Sequence, residues 1–157
     1  MFGTLDHNQI EQLLHHQLIG RIGCHDNDQT YVVPISYAYD GVYIYGHTEI
    51  GKKVHMMRHN PKVCFQVDEM ENMANWKSVI AWGEYEELTD TTKRNQAIEK
   101  LLDRILPHIS SKTVQLSPHW PFAPTDLSNI KGIVFRIRIH ERTGRFENID
   151  TTAGYAS

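Results

Sequence analysis

Residues 43–65 read YIYGHTEIGKKVHMMRHNPKVCF. A β-rich run, VYIYGHT, passes through small and hydroxyl residues into two lysines and about ten residues of helical character, and Asn60-Pro61 stops that helix before a second β-rich run, KVCFQV. Thr48 stands where a capping residue is expected, with apolar Val54 and Met57 on one side of the helix. The start of such a helix carries unpaired N–H groups and a partial positive charge. Together with the two ammonium groups, Thr48, Gly51, Lys52 and Lys53 therefore form a candidate anion cradle, and a phosphate is its natural guest. The same residues, taken alone, read equally as a solvated Lys-Lys helix start.

Outward from this stretch the chain is mostly β. Upstream, RIGCHDNDQTYVVPISYAYDGVYIYGH holds three strand-like runs separated by turn signals at Asp26-Asn27-Asp28 and Asp40-Gly41. Pro34 interrupts the middle run and removes a ladder donor, which points to an edge, a bulge or a place where the sheet opens. Downstream, KVCFQVDE, WKSVIAWGEYEEL and GIVFRIRIHER read as three further strands. In the last, Phe135, Ile137 and Ile139 alternate with Val134, Arg136, Arg138 and His140, so one face is expected to pack and the other to stay polar. A capping-box pattern at Asp6 and Gln9 opens an amphipathic helix through Ile10, Leu13, Leu14 and Leu18, with Gly20 closing it. A longer surface helix carries Ile98, Leu101, Leu102, Ile105 and Leu106. Six strands in a meander with two short helices and one longer one describe a mainly β, α+β, closed or nearly closed antiparallel barrel. The lack of crossover helices excludes a parallel α/β fold.

With 157 residues and 40% hydrophobic content the chain is expected to form one domain, 1–157, that buries a core without help from disulfides or a structural metal. Cys24 and Cys64 lie in apolar runs and read as reduced thiols in a cytoplasmic setting. A formal charge of -3 removes the electrostatic footprint of a general nucleic-acid binder. No stretch has the length or apolarity of a signal peptide or a membrane span, so a soluble protein is expected. Ten histidines invite a metal reading, and His55 and His59 share a helix face. No glutamate follows His55, and the remaining histidines lack ligand spacing, so solvated or packed rings are the expected roles. No nucleophile elbow and no glycine-rich dinucleotide fingerprint are present.

The order VVPISYAYDG, VYIYGHT, GKK, short helix, NPKVCFQVDE, WKSVIAWGEYEEL and closing strand IVFRIRIHERTGR resembles the pyridoxamine 5'-phosphate oxidase-like FMN-binding split-barrel family, in particular its nitroimidazole-resistance-like branch. The resemblance is close from Asp6 to Leu88 and loose over Thr91–Asn129. It implies a six-stranded antiparallel split β-barrel with short flanking helices. It further implies that Thr48, Lys52 and Lys53, with Gly51 and His47 alongside, hold the phosphate of FMN. The strand with Pro34, Ile35, Ser36 and Tyr37 would meet the polar edge of the ring through its main chain, Ser78 and Val79 would line the same site, and Trp76 would cover the ring by stacking. For each single residue a plain core or strand-surface role stands beside the implied one.

The resemblance also implies a homodimer with the cofactor at its interface and a small-molecule substrate. The loop Pro118-His119-Trp120-Pro121-Phe122 reads as a lid, an interface piece or a loop packed on its own chain. The family's true oxidase carries a C-terminal extension with further arginines, whereas a polar tail follows Gly144-Arg145-Phe146 here, which argues against vitamin B6 chemistry. The expectation is an FMN-dependent oxidoreductase reducing an acceptor such as a nitro compound, a quinone or oxygen, with no catalytic residue assigned. The alternatives are a non-catalytic flavin-binding module, a haem-binding split barrel and a deazaflavin protein.

Overall fold

The computed structural model describes residues 1–105 and 130–149. The Pro107–Asn129 segment, with the loop Pro118–Phe122, lies outside the described residues, as does Leu106. In chain order the elements are β1 (Phe2–Thr4), α1 (His7–His16), β2 (Ile19–Asp26), β3 (Gln29–Ser36), β4 (Ala38–Tyr39), β5 (Tyr43–Thr48), α2 (Lys52–His59), β6 (Lys62–Asn72), β7 (Asn75–Glu87), α3 (Thr91–Ile105) and β8 (Ile133–Glu147). One antiparallel sheet runs β3-β2-β6-β7-β8-β5-β4, and β1 adds to β8.

Two of these strands were not separate in the sequence reading. β1 is a three-residue addition, and the run 29–39 divides at Tyr37 into β3, which pairs with β2, and β4, which pairs with β5. Tyr37 forces the division. Its side chain is 1% exposed, its hydroxyl donates to the Leu14 carbonyl at 2.6 Å, and its ring meets Phe65 edge-on at 4.7 Å. The two ends of the sheet order are thus consecutive pieces of one run, and the barrel is split where they part. The strands do not form one continuous meander either. α2, packed on β2, carries the chain from β5 to β6, which are not neighbours in the sheet.

Local chemistry explains the element ends. Asp6 accepts from the Gln9 N–H and the Gln9 side chain accepts from the Asp6 N–H, each at 2.9 Å, completing the capping box of α1. The helix stops at His16, so Leu18 lies beyond it and Gly20 belongs to β2 rather than to a cap. A Cβ at Gly20 would fall 2.1 Å from the Phe65 ring, which is why glycine stands there. Asn27 and Asp28, at φ 50° and 60°, make the left-handed turn that joins β2 to β3.

Ile22, Phe65, Val67, Val79, Phe135 and Ile137 fill the barrel beneath Met57 of α2. A second cluster lies under α3, where Ala97, Ile98 and Leu101 meet Tyr45 and Val134. This cluster explains why Val134 is buried although it falls on the otherwise polar face of β8.

The turn before β5 carries a pH-sensitive tie. Partial burial alone would raise the Asp40 carboxyl, but the Tyr43 N–H, the Tyr45 hydroxyl and the Val42 N–H all donate to it and hold it below its ordinary value of 3.8. A depressed folded-state value means the tie contributes fully above the unfolded value and is lost as pH falls through the folded one. Asp40→Asn is therefore expected to lower the melting temperature at neutral pH and to remove part of the stability loss seen below about pH 4. Thermal melts of both proteins from pH 7 down to pH 3 check this.

Candidate functional site

β3 ends the sheet order on one side. On the other, β4 pairs with β5 only at Ala38↔Tyr45 and Tyr39↔Ile44, so Gly46, His47 and Thr48 have β8 along one edge and no paired strand along the other among the described residues. β3 approaches β5 without pairing with it. The result is two backbone edges without a paired strand among the described residues. Pro34 stands on the β3 edge, where a missing donor is tolerated.

Glu49, Ile50 and Gly51 separate α2 from the end of β5, and the start of α2 is electrostatically unbalanced. Gly51 is the N-cap and offers no side-chain bond, while the Thr48 hydroxyl donates to the Glu49 carbonyl at 3.2 Å, so Thr48 is not the cap that the sequence suggested. The first turn holds no acidic residue and begins with Lys52 and Lys53. Cations at a helix N-terminus oppose the helix dipole. The Lys52 ammonium lies 5.3 Å above the Tyr31 ring of β3. Lys53 is half-buried, and that burial, partly offset by the nearby Cys24 thiol, lowers its pKa. Among the described residues no carboxylate pairs with either lysine. Two unpaired cations beside uncapped N–H groups fit a phosphate, whose charge would satisfy both.

The residues singled out from sequence fall on β3 and the residue after it, on the end of β5 and the start of α2, and on β7. Pro34 and Ser36 are exposed on the outer face of β3, whereas the side chains of Ile35 and Tyr37 point into the core and the Tyr37 N–H is donated to the Leu18 carbonyl at 3.2 Å. His47 is held at the end of β5, where its Nε2 donates to the Lys131 carbonyl at 2.6 Å and burial lowers its pKa. The β7 residues lie apart, because β2 and β6 separate β7 from β3. Val79 is fully buried, Ser78 accepts from Gln66 Nε2 at 3.1 Å, and Trp76 Nε1 donates to Glu147 at 2.9 Å. Within one chain these three do not reach the split.

One cluster escaped the sequence reading. On the outer face, Arg21 donates to Gln66 and Asp68 at 3.3 Å, and Gln66 donates in turn to Asp68 and Ser78 at 3.1 Å. Of these four, the sequence reading singled out only Ser78, as lining the implied site. Only the register Pro34↔Arg21↔Gln66 and Asp68↔Ser78 shows that they meet.

The sequence profile of the pyridoxamine 5'-phosphate oxidase family matches residues 6–146. The chain belongs to this family. Its fold is the family's split barrel. A solved structure of an FAD-binding protein from Mesorhizobium loti shares 32% identity, covers 94% of this chain and 99% of its own, and superposes with a TM-score of 0.74. Two others share the fold at 18% identity. A candidate 5-nitroimidazole antibiotic resistance protein from Bacteroides thetaiotaomicron covers 93% of this chain and 87% of its own with a TM-score of 0.70. The flavocytochrome Anf3 from Azotobacter vinelandii covers 97% and 74% with a TM-score of 0.67. An uncharacterised protein of Rhizobium meliloti is 42% identical over 73 residues, which are 46% of this chain and 48% of that one, so the match spans about half the length of this curated relative. In this pyridoxamine 5'-phosphate oxidase family member both cysteines are free, and no helix among the described residues is long and apolar enough to cross a membrane.

Proposed function

We propose that the protein is a flavoprotein oxidoreductase that binds FMN in the split between β3 and β5. The observation that carries this reading is the start of α2, where Lys52 and Lys53 lack carboxylate partners among the described residues, beside N–H groups that no described side chain caps. Those two lysines and the helix start hold the phosphate. The free edge of β3 at Pro34 and Ser36 aligns the ring through its main-chain groups. When bound, the flavin supplies the two-electron redox chemistry; the chain contributes binding, orientation and exclusion of water. A small oxidised molecule such as a nitro compound or a quinone is the electron acceptor.

The chain works as a homodimer in the cytoplasm. Trp76, Ser78 and the main chain of Val79 contact a flavin only if a second copy supplies them, and Ile19, Val32, Ile80 and Trp82 leave an exposed apolar outer face for that copy. Light scattering is expected to give the mass of two chains, and Trp82→Glu to give one chain with weakened flavin binding. A single-chain mass for the wild type with full flavin binding contradicts the shared site.

FAD is the second reading, favoured by the Mesorhizobium loti relative that is named for it. Its pyrophosphate suits the same cradle. Titration of the cofactor-free protein with FMN, FAD and riboflavin separates the cases. The proposal expects one FMN per chain, bound at least a hundredfold more tightly than riboflavin. Tighter FAD would move the assignment to the dinucleotide, and equal binding of FMN and riboflavin would remove the phosphate site.

A further inference from the structure

We infer that His47, Gly132 and Arg94 form a clamp that positions the anion cradle without touching the anion. Three successive carbonyls at the entry to β8 are each gripped by a side chain from elsewhere. Arg94 of α3 donates to the Ile130 carbonyl and, at 3.4 Å, to that of Gly132, while His47 of β5 donates to the Lys131 carbonyl between them at 2.6 Å. A carbonyl only accepts, so this bond fixes the proton on Nε2 of His47.

Gly132 makes the approach possible. It sits at φ +100°, and a Cβ there would lie 2.8 Å from His47 Nε2 and 2.9 Å from the Thr48 carbonyl. Any other residue pushes the entry of β8 away from the end of β5. In register, His47 faces Val134 and Thr48 faces Ile133, so the clamp closes directly over the last rung of the β5–β8 ladder.

That rung sets the cradle. Only Glu49, Ile50 and Gly51 separate Thr48 from Lys52, and the four steps between them reach at most about 14 Å. The point at which β5 is pinned therefore dictates where α2 begins and where its N–H groups and lysines point. The clamp lies on the β8 side of β5 and the open edge on the other, so His47 and Arg94 act as positioning residues.

This inference rests on the phosphate reading above, and its test keeps the two apart. FMN and riboflavin affinities are measured for the wild type, Arg94→Met, Gly132→Ala, His47→Phe and His47→Gln, along with amide hydrogen exchange of His55 to Met57 in the cofactor-free proteins. The clamp predicts that Arg94→Met, Gly132→Ala and His47→Phe each lose about tenfold in FMN affinity with riboflavin affinity unchanged. It also predicts faster exchange in the first turns of α2, and recovery in His47→Gln, whose amide can still donate to Lys131. FMN and riboflavin weakening together, or unchanged exchange at α2, overturns it. If only His47→Phe loses FMN while Arg94→Met does not, His47 is a direct ligand and the clamp is wrong. A wild type that does not prefer FMN removes the phosphate reading, and the exchange data still judge the clamp. Should Gly132→Ala fail to fold, Arg94→Met carries the test.

Discussion

The double substitution Lys52→Ala and Lys53→Met is expected to reduce FMN affinity at least a hundredfold while the protein stays folded. Methionine at 53 keeps the half-buried stem and removes only the charge. Hydrogen bonds to charged groups contribute about 1.5–3 kcal/mol each, so losing two from a phosphate amounts to roughly 3–6 kcal/mol, or a factor of 100 or more in binding. Riboflavin, which lacks the phosphate, should bind as before. Stability should hold or rise, because each lysine opposes the dipole at the start of α2, a cost of about 0.3–1 kcal/mol. Purely structural lysines would behave in the opposite way. Their loss would lower the melting temperature and leave both flavins bound. Fluorescence titration with the two flavins, together with a thermal melt, reads both quantities on one preparation, and undiminished FMN affinity would falsify the assignment.

Phe65→Ala is expected to be the most damaging change to the fold, at about 3–5 kcal/mol. The ring is fully buried, lies against Gly20 and meets Tyr37 edge-on at 4.7 Å. Neither neighbour fills the void readily. Gly20 has no side chain, and Tyr37 is tethered by its hydroxyl to Leu14. A loss of that size is a large share of the roughly 5–15 kcal/mol of a typical domain, and it should lower the melting temperature by roughly 10 °C. The consequence reaches the site. Tyr37 is the point where β3 and β4 part, so a loosened Tyr37 widens the split and should weaken riboflavin as well as FMN, unlike the lysine pair. A melting temperature within about 3 °C of wild type would show that Phe65 is not the support of this fork.

How much of this was legible beforehand differs from element to element. The capping box at Asp6 and Gln9, the Asn27-Asp28 turn and the apolar spacing of α3 rest on contacts within a few residues, and all three appear in the structure. The division of the run 29–39 rests on Tyr37 reaching Leu14 and Phe65, far away in the chain, and no local period reports such contacts. Pro34 signalled an edge, a bulge or an opening, and it stands on the edge strand β3. At the site, the lysine pair was visible as a motif, and the structure adds that the pair has no carboxylate partner among the described residues. Thr48 was misjudged as the cap because a hydroxyl near a helix start is the usual choice, whereas here it turns to the Glu49 carbonyl. The Arg21, Gln66, Asp68 and Ser78 network depends on the register of three strands, which period-2 patterning leaves open.

The absorbance spectrum of the purified protein, followed by the mass of whatever heat releases from it, tests the central claim most directly. The account predicts a yellow protein with the two broad bands of an oxidised flavin and release of FMN at one per chain. A colourless protein that also fails to take up added FMN or FAD, or an intense Soret band with no flavin released, would contradict it.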